Sequence, residues 1–239
     1  MPISSYTESS FSESLRALLN LVEYRPAISA VECERIYRMR YAAYLKEGAL
    51  PPNAPVLFKD RYDDLPSGVT VGVYIDGRLS SSMRFHIIDA ANQDSPVMQV
   101  FSDALRPWID AGATIVDPTR FVADATAIRL YPKLPYLTVR LAYLACEFFG
   151  ADVGLATVRV EHQAFYKRLF GHELVCPARP YPSLAKPISL MKVDFPQLRQ
   201  RVAERYPFMQ SSAEERRQIF GRVALQRAGS EAASFANVR

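Results

Sequence analysis

Apolar residues recur every three and four positions between residues 29 and 47, and that spacing predicts a helix. Ser29-Ala30-Val31-Glu32 is a capping-box pattern that opens it, and Gly48 closes it. Cys33, Tyr37, Arg40, Tyr41 and Tyr44 share one of its faces. Pro51-Pro52-Asn53 then forces a loop. Residues 69–76 and 78–88 read as two strands, with Asp76-Gly77 as a hairpin turn between them. Alternation in the second strand sets Ser82, Arg84 and His86 on one face and Met83, Phe85 and Ile87 on the other.

Ser95-Pro96 opens another helix, striped by Val97, Phe101, Leu105 and Trp108 and stopped by Gly112. Residues 114–124 read as a strand interrupted by Pro118, which implies an edge or a bulge. A loop at 129–134 leads to a helix over 135–149, with Leu137, Leu141, Leu144 and Phe148 as its stripe. A strand (154–160), a helix (161–170) and strands at 173–176 and 186–195 follow. This order predicts an α/β (α+β) domain over residues 26–196, a mixed central β-sheet flanked by helices. Residues 1–25 read as an N-terminal arm with a short helix at 12–21. Residues 197–239 read as an amphipathic tail carrying Leu198, Val202, Tyr206, Ile219 and Val223, with an Ala/Ser-rich end expected to be disordered.

Composition narrows the class. A chain of 239 residues, 49% hydrophobic and 23% charged, builds its own core without a disulfide or metal staple. Three scattered cysteines and three histidines, without a CxxC pair, exclude a structural zinc site. The start of the chain has no leader pattern and no apolar run is long enough to span a bilayer, so a cytoplasmic protein is expected. The net charge of +4 resides in the tail, where eight arginines face four acidic residues, while the rest of the chain balances. That excludes a nucleic-acid-binding stripe on the body. It leaves an acidic partner, or peripheral contact of the tail with the inner face of a membrane.

Four places set charge where the pattern asks for apolar residues. Arg40 interrupts an aromatic helix face, and Asp60-Arg61-Tyr62-Asp63-Asp64 crowds carboxylates before a strand. Arg84 sits inside the hairpin, and Asp117 and Arg120 lie on the Pro118 strand. Three apart, those two would face oppositely in a regular strand, but a bulge at Pro118 would turn both the same way. Two acidic sites and three arginines on separate elements predict one hydrogen-bonded cluster able to orient a polar substrate.

In order and spacing, these residues resemble the signature of N-acyl-homoserine-lactone (autoinducer) synthases and of the related bacterial N-acyl amino acid synthases. The matching segments are Tyr37-Arg38-Met39-Arg40-Tyr41-Ala42-Ala43-Tyr44, Asp60-Arg61-Tyr62-Asp63, Ser81-Ser82-Met83-Arg84 and Asp117-Pro118-Thr119-Arg120-Phe121, the last with Asp where those families carry Glu. The run Glu161-His162-Gln163-Ala164-Phe165-Tyr166-Lys167-Arg168-Leu169-Phe170-Gly171 resembles the late helix of GNAT enzymes, with Tyr166 at the position that protonates the leaving thiolate. The resemblance implies a GNAT-like fold and transfer of a fatty acyl group from a thioester to an amine. It implies Asp117, Arg120 and Tyr166 in catalysis and Arg40, Tyr44, Asp60, Asp63, Arg84 and Phe121 around the substrates.

Two departures sharpen it. The loop 46–57 has no tryptophan where homoserine-lactone synthases usually have one, which favours an amino acid acceptor over S-adenosylmethionine. The stretch 127–135 has no glycine where CoA-dependent GNAT enzymes cradle a pyrophosphate. That favours an acyl carrier protein over acyl-CoA as donor, with Arg129 and Lys133 pairing with the phosphopantetheine phosphate or the carrier's acidic residues. No tightly bound cofactor is expected. The competing readings are an autoinducer synthase, a CoA-dependent acetyltransferase and a non-catalytic acyl-binding module of the same fold.

Overall fold

A computed structural model describes residues 4–53, 55–181 and 184–236. The chain runs α1 (Ser4–Leu19), β1 (Val22–Pro26), α2 (Ala30–Lys46), a 3-10 turn (Arg61–Asp64), β2 (Gly68–Ile75) and β3 (Arg78–Ile88). It continues through α3 (Pro96–Asp110), β4 (Ile115–Ala123), α4 (Ala125–Leu130), α5 (Leu134–Phe149), β5 (Val153–Val158) and α6 (Gln163–Phe170). β6 (Glu173–Tyr181), β7 (Leu184–Asp194), α7 (Phe195–Arg205) and α8 (Ala213–Ala236) complete it.

The strands form one sheet in the order β1-β2-β3-β4-β5-β7-β6. Every neighbouring pair is antiparallel except β4 and β5. Local chemistry explains the start of the sheet. The capping box of Ser29 and Glu32 starts α2. Asp76 and Gly77 both take positive φ, 50° and 73°, the geometry of a two-residue hairpin turn whose twist matches the strands. Val71, Val73, Met83, Phe85 and Ile87 meet the buried side of α5 in the main core. On the opposite face α3 closes a second cluster, in which Val97, Phe101, Leu105 and Ile109 pack on Ile88 and Ile115.

The central strands place the site. β4 and β5 pair only at Ile115↔Val153 and Val116↔Gly154, then diverge. Pro118 lies two residues past the last of these pairs, where β5 no longer asks β4 for a donor; the proline therefore tolerates a central strand. The bulge falls at Arg120 rather than at Pro118. Arg84 faces Thr119 and Ser82 faces Val122, which leaves an extra residue on β4, and Arg120 takes φ 54°.

Other expectations shift as well. The first helix covers Ser4–Leu19 rather than 12–21, and Leu15 is fully buried in the main core. The stretch expected to be an arm also supplies the edge strand β1, paired with β2. A short helix, α4, forms ahead of the loop predicted at 129–134, because Asp124 caps its first turn. β6 runs to Tyr181, beyond the expected end at 176.

The tail folds back onto the body. Phe208, Met209, Ile219, Phe220 and Val223 are buried in the main core. Phe220 meets Phe85 edge-on at 5.7 Å. Much of the tail's charge is spent within the protein. Arg199 and Arg216 pair with Glu147, Arg217 with Glu214, and Arg227 with Asp89. α8 stays helical to Ala236, through most of the Ala/Ser-rich end expected to be disordered; residues 237–239 lie outside the described residues. Among the described residues, no helix is long and apolar enough to cross a membrane.

Candidate active site

Five charged residues that the sequence scatters over 81 positions meet on the α2/α3 face of the sheet. The 3-10 turn fixes the two acids. The Asp60 side chain accepts from the Tyr62 N–H, and the Asp63 carboxylate accepts from the Asp60 N–H at 3.0 Å. Arg40, from α2, bridges Asp63 at 2.6 Å and Thr70 at 3.0 Å. Arg84, from β3, reaches Asp60 at 2.6 Å, Asp63 at 3.0 Å and the Thr119 hydroxyl at 3.1 Å. Arg120, from β4, reaches the other Asp60 oxygen at 2.6 Å.

Three guanidiniums against two carboxylates leave this cluster with excess positive charge. Its members are largely dehydrated: Arg40 is fully buried and Arg84 is 1% exposed. Burial alone would push the Asp60 carboxyl up, but Arg84 and Arg120 outweigh it and hold it well below the usual carboxylate range. Asp63 is held low in the same way by Arg40 and Arg84. Burial works against the Arg120 charge too, yet Tyr44 and Asp60 keep its pKa above the ordinary value.

Arg120 is also boxed by aromatic rings. Its guanidinium carbon lies 4.2 Å from the Phe58 ring centre, 5.6 Å from Tyr44 and 5.9 Å from Tyr181. The left-handed backbone of so large a residue costs on the order of 1–3 kcal/mol. The bulge turns the Arg120 side chain onto the cluster face shared by Asp117 and Thr119, the outcome expected from a bulge though two residues later.

Where β4 and β5 diverge, a cavity of about 760 Å³ opens. Thr119, Arg120 and Phe121 form one wall and Leu155 to Val158 the other, with Tyr44 and Tyr166 between them. Its inner end is apolar, formed by Val139, Cys146, Val193, Phe195 and Leu198. Its outer rim is charged, with Lys46, Glu47, Arg159, His162 and Lys186. Burial, then the neighbouring Tyr44, raises the Tyr166 phenol, so it stays protonated. Its ring packs edge-on against His172 at 5.5 Å. Burial lowers His172 to about 4, so that ring is neutral.

Several expected residues lie elsewhere. Asp117 sits across from His86 on β3, fully buried and off the cavity wall. Neither of its carboxyl oxygens has a hydrogen-bond partner among the described residues; the nearby Val97 amide acts on it without hydrogen-bond geometry. Burial raises its pKa to about 7, against the pull of Arg84. Burial also lowers its neighbour His86 to about 3, with Nε2 3.0 Å from the Tyr62 carbonyl oxygen. Arg129 is exposed and not part of the cavity wall. Lys133 is engaged by the Ser14 hydroxyl and lies 5.0 Å over the Phe11 ring, so it ties α1 to the body. Sequence reasoning missed Phe58, Tyr181 and the charged rim. Aromatic loop residues and charges at strand ends break no pattern, so only Thr119 and His162, inside motifs already singled out, carried a signal. Among the described residues no group of His, Cys, Asp or Glu is placed to hold a metal ion.

A mixed sheet whose two parallel strands splay around a deep cavity is the GNAT-like fold, here with an arginine–aspartate cluster at the cavity wall. The family model described as "N-acyl amino acid synthase FeeM" matches residues 35–194. The chain belongs to that family, and the protein is an N-acyltransferase. Among solved structures it resembles FeeM, an N-acyl amino acid synthase from uncultured soil microbes, with a TM-score of 0.63 and 16% identity over 75% of this chain and 93% of that one. It also resembles BjaI, a CoA-dependent acyl-homoserine lactone synthase, with a TM-score of 0.54 and 14% identity over 77% and 89% of the two chains. TofI, solved with an inhibitor and MTA, gives 0.54 and 14% over 73% and 91%. No curated protein matches the sequence.

Proposed function

We propose that the protein transfers a fatty acyl group from an acyl-carrier-protein thioester to the amine of an amino acid, giving an N-acyl amino acid. The observation that carries this reading is the polarity gradient of one cavity: apolar at its buried end, charged at its rim, with Arg120 on the wall between. A cavity of about 760 Å³ suits an acyl chain plus a small acceptor. The family's described activity points the same way.

The choice of donor rests on α4. In this fold class a CoA pyrophosphate would lie on the backbone donors after β4. Here the Asp124 carboxylate already accepts from the Thr126 and Ala127 N–H groups, both at 2.9 Å. A carrier arm, which brings a single phosphate to the surface, asks less of those donors. Since Arg129 and Lys133 lie off the cavity wall, their proposed part is confined to the carrier's docking face, and Lys133 would have to leave Ser14 to take it.

The neutral amine attacks the thioester carbonyl carbon. A C–N bond forms, the C–S bond breaks, and the amine proton must leave. Asp117, held near neutrality, is the proposed proton acceptor; being off the cavity wall, it acts through an intervening water. The Phe121 N–H at the bulge and the Arg120 charge would stabilise the oxyanion. Tyr166 would donate a hydrogen bond to the departing sulfur; with so high a pKa the phenol shares its proton rather than giving it up. Arg40, Asp60, Asp63 and Arg84 hold Arg120 in place, and Tyr44 and Phe121 border the substrates.

The test supplies purified protein with a mixture of amino acids and one acyl group, either on carrier protein or on CoA. Amide formed at least ~10-fold faster (kcat/KM) from the carrier thioester is expected. Equal or faster use of acyl-CoA overturns the donor assignment. A lactone formed from S-adenosylmethionine, with no N-acyl amino acid, overturns the acceptor.

A further inference from the structure

The three arginines of the inner cluster are committed to Asp60 and Asp63. An amino acid held in the cavity therefore needs another cation for its carboxylate, and the rim supplies one. Arg159 lies just past the end of β5 with its side chain only 16% exposed. Its Nη2 donates to the Glu47 carboxylate at 2.7 Å and approaches His162 Nε2 at 2.8 Å, while its Nε lies 3.3 Å from Glu161. Lys186, on β7, donates to the Glu47 backbone carbonyl at 2.8 Å. Arg159, His162, Lys186 and Glu47 all border the cavity.

Two features mark this group as a carboxylate site. First, Glu47 already presents a carboxylate to Arg159 and is itself 55% exposed, so it can swing into water at little cost and yield its place. Second, His162 Nε2 accepts from Arg159, so it orients the guanidinium without competing for an anion; partial desolvation and then the Arg159 charge lower its pKa. We propose that Arg159, supported by Lys186, binds the α-carboxylate of the acceptor amino acid in exchange for Glu47. The proposal rests on the amino acid reading above and extends it to a residue outside every motif read from the sequence. A carrier arm's phosphate is the rival anion for the same cations.

Steady-state kinetics on the full-length protein separate the cases, using one amino acid, its carboxamide and its decarboxylated amine as acceptors. The wild type is expected to favour the free amino acid by ~10- to 100-fold in kcat/KM. Arg159→Gln should abolish that preference by raising the amino acid KM, with the thioester KM unchanged. Arg159→Lys should restore part of it, which a merely structural arginine would not. Glu47→Gln, which removes the competing carboxylate, should lower the amino acid KM and serves as the second variant if Arg159→Gln does not fold. An Arg159→Gln enzyme that keeps its preference while its thioester KM rises overturns the proposal in favour of phosphate. A wild type indifferent to the carboxylate overturns it as well. A wild type that acylates none of the amino acids, yet acylates another amine, sinks the amino acid reading itself.

Discussion

Arg84 touches both carboxylates of the cluster, so losing it removes one buried partner from each, leaving Asp60 to Arg120 and Asp63 to Arg40. Arg84→Ala is expected to cost about 1.5–3 kcal/mol of stability through its lost charge-assisted hydrogen bonds, read by urea denaturation. A loss under 1 kcal/mol would mean the cluster is hydrated. Asp117 gives a signed pH dependence. Its folded pKa, about 7, lies above the ordinary 3.8, so its contribution is present below pH 4 and disappears as pH rises towards 7. Asp60 and Asp63 act the other way: held low, they contribute above the usual carboxylate range and lose that contribution as the solution becomes more acid. Asp117→Asn should therefore flatten the stability profile between pH 4 and 7 and stabilise the protein above pH 7 by a few kcal/mol at most. A parallel profile would show that Asp117 is not the group titrating there. At this scale the cluster was legible, because Arg40, Asp60, Asp63, Arg84 and Arg120 each break a local pattern. Phe58 and Tyr181 break none, and so the box around Arg120 was not.

The strand β4 joins these residues to the cavity. Its proline announced an irregularity, and the irregularity lies two residues on, at a left-handed Arg120. Periodicity could not place it, because the register of β3 decides where the extra residue goes. β1 escaped notice although Val22 and Tyr24 alternate with Glu23 and Arg25, because Pro26 suits a strand only at a sheet edge, and α4 since its only start signal is Asp124. β5 offers a test of cavity depth. A Cβ on Gly154 would lie 3.2 Å from Val193 and 3.4 Å from Cys146, at the apolar end of the cavity. Gly154→Val is expected to shorten the preferred acyl chain, lowering kcat/KM for long chains by ~10-fold or more while sparing short ones. An unchanged chain-length profile would place the acyl chain elsewhere.

On the scale of the whole molecule, a tail that read as an appendage is part of the core. Its apolar stripe was visible in the sequence; that the stripe meets α5 and the first strands was not, since periodicity marks a face without naming its partner. Deleting residues 197–239 should unfold the protein rather than merely release it from a surface, and Phe220→Ala alone should cost about 3–5 kcal/mol. A soluble, active truncation, checked by gel filtration and assay, would contradict this. The scattered charges, the splayed strands and the closed core belong to an N-acyltransferase, for which we propose an acyl chain taken inward and an amine met at the rim. The most direct test is mass spectrometry of lipid extracts from cells producing the wild type or Arg120→Ala. The wild type should accumulate an N-acyl amino acid that the folded variant does not. Identical extracts from the two, or an acyl-homoserine lactone in place of the N-acyl amino acid, would contradict the account.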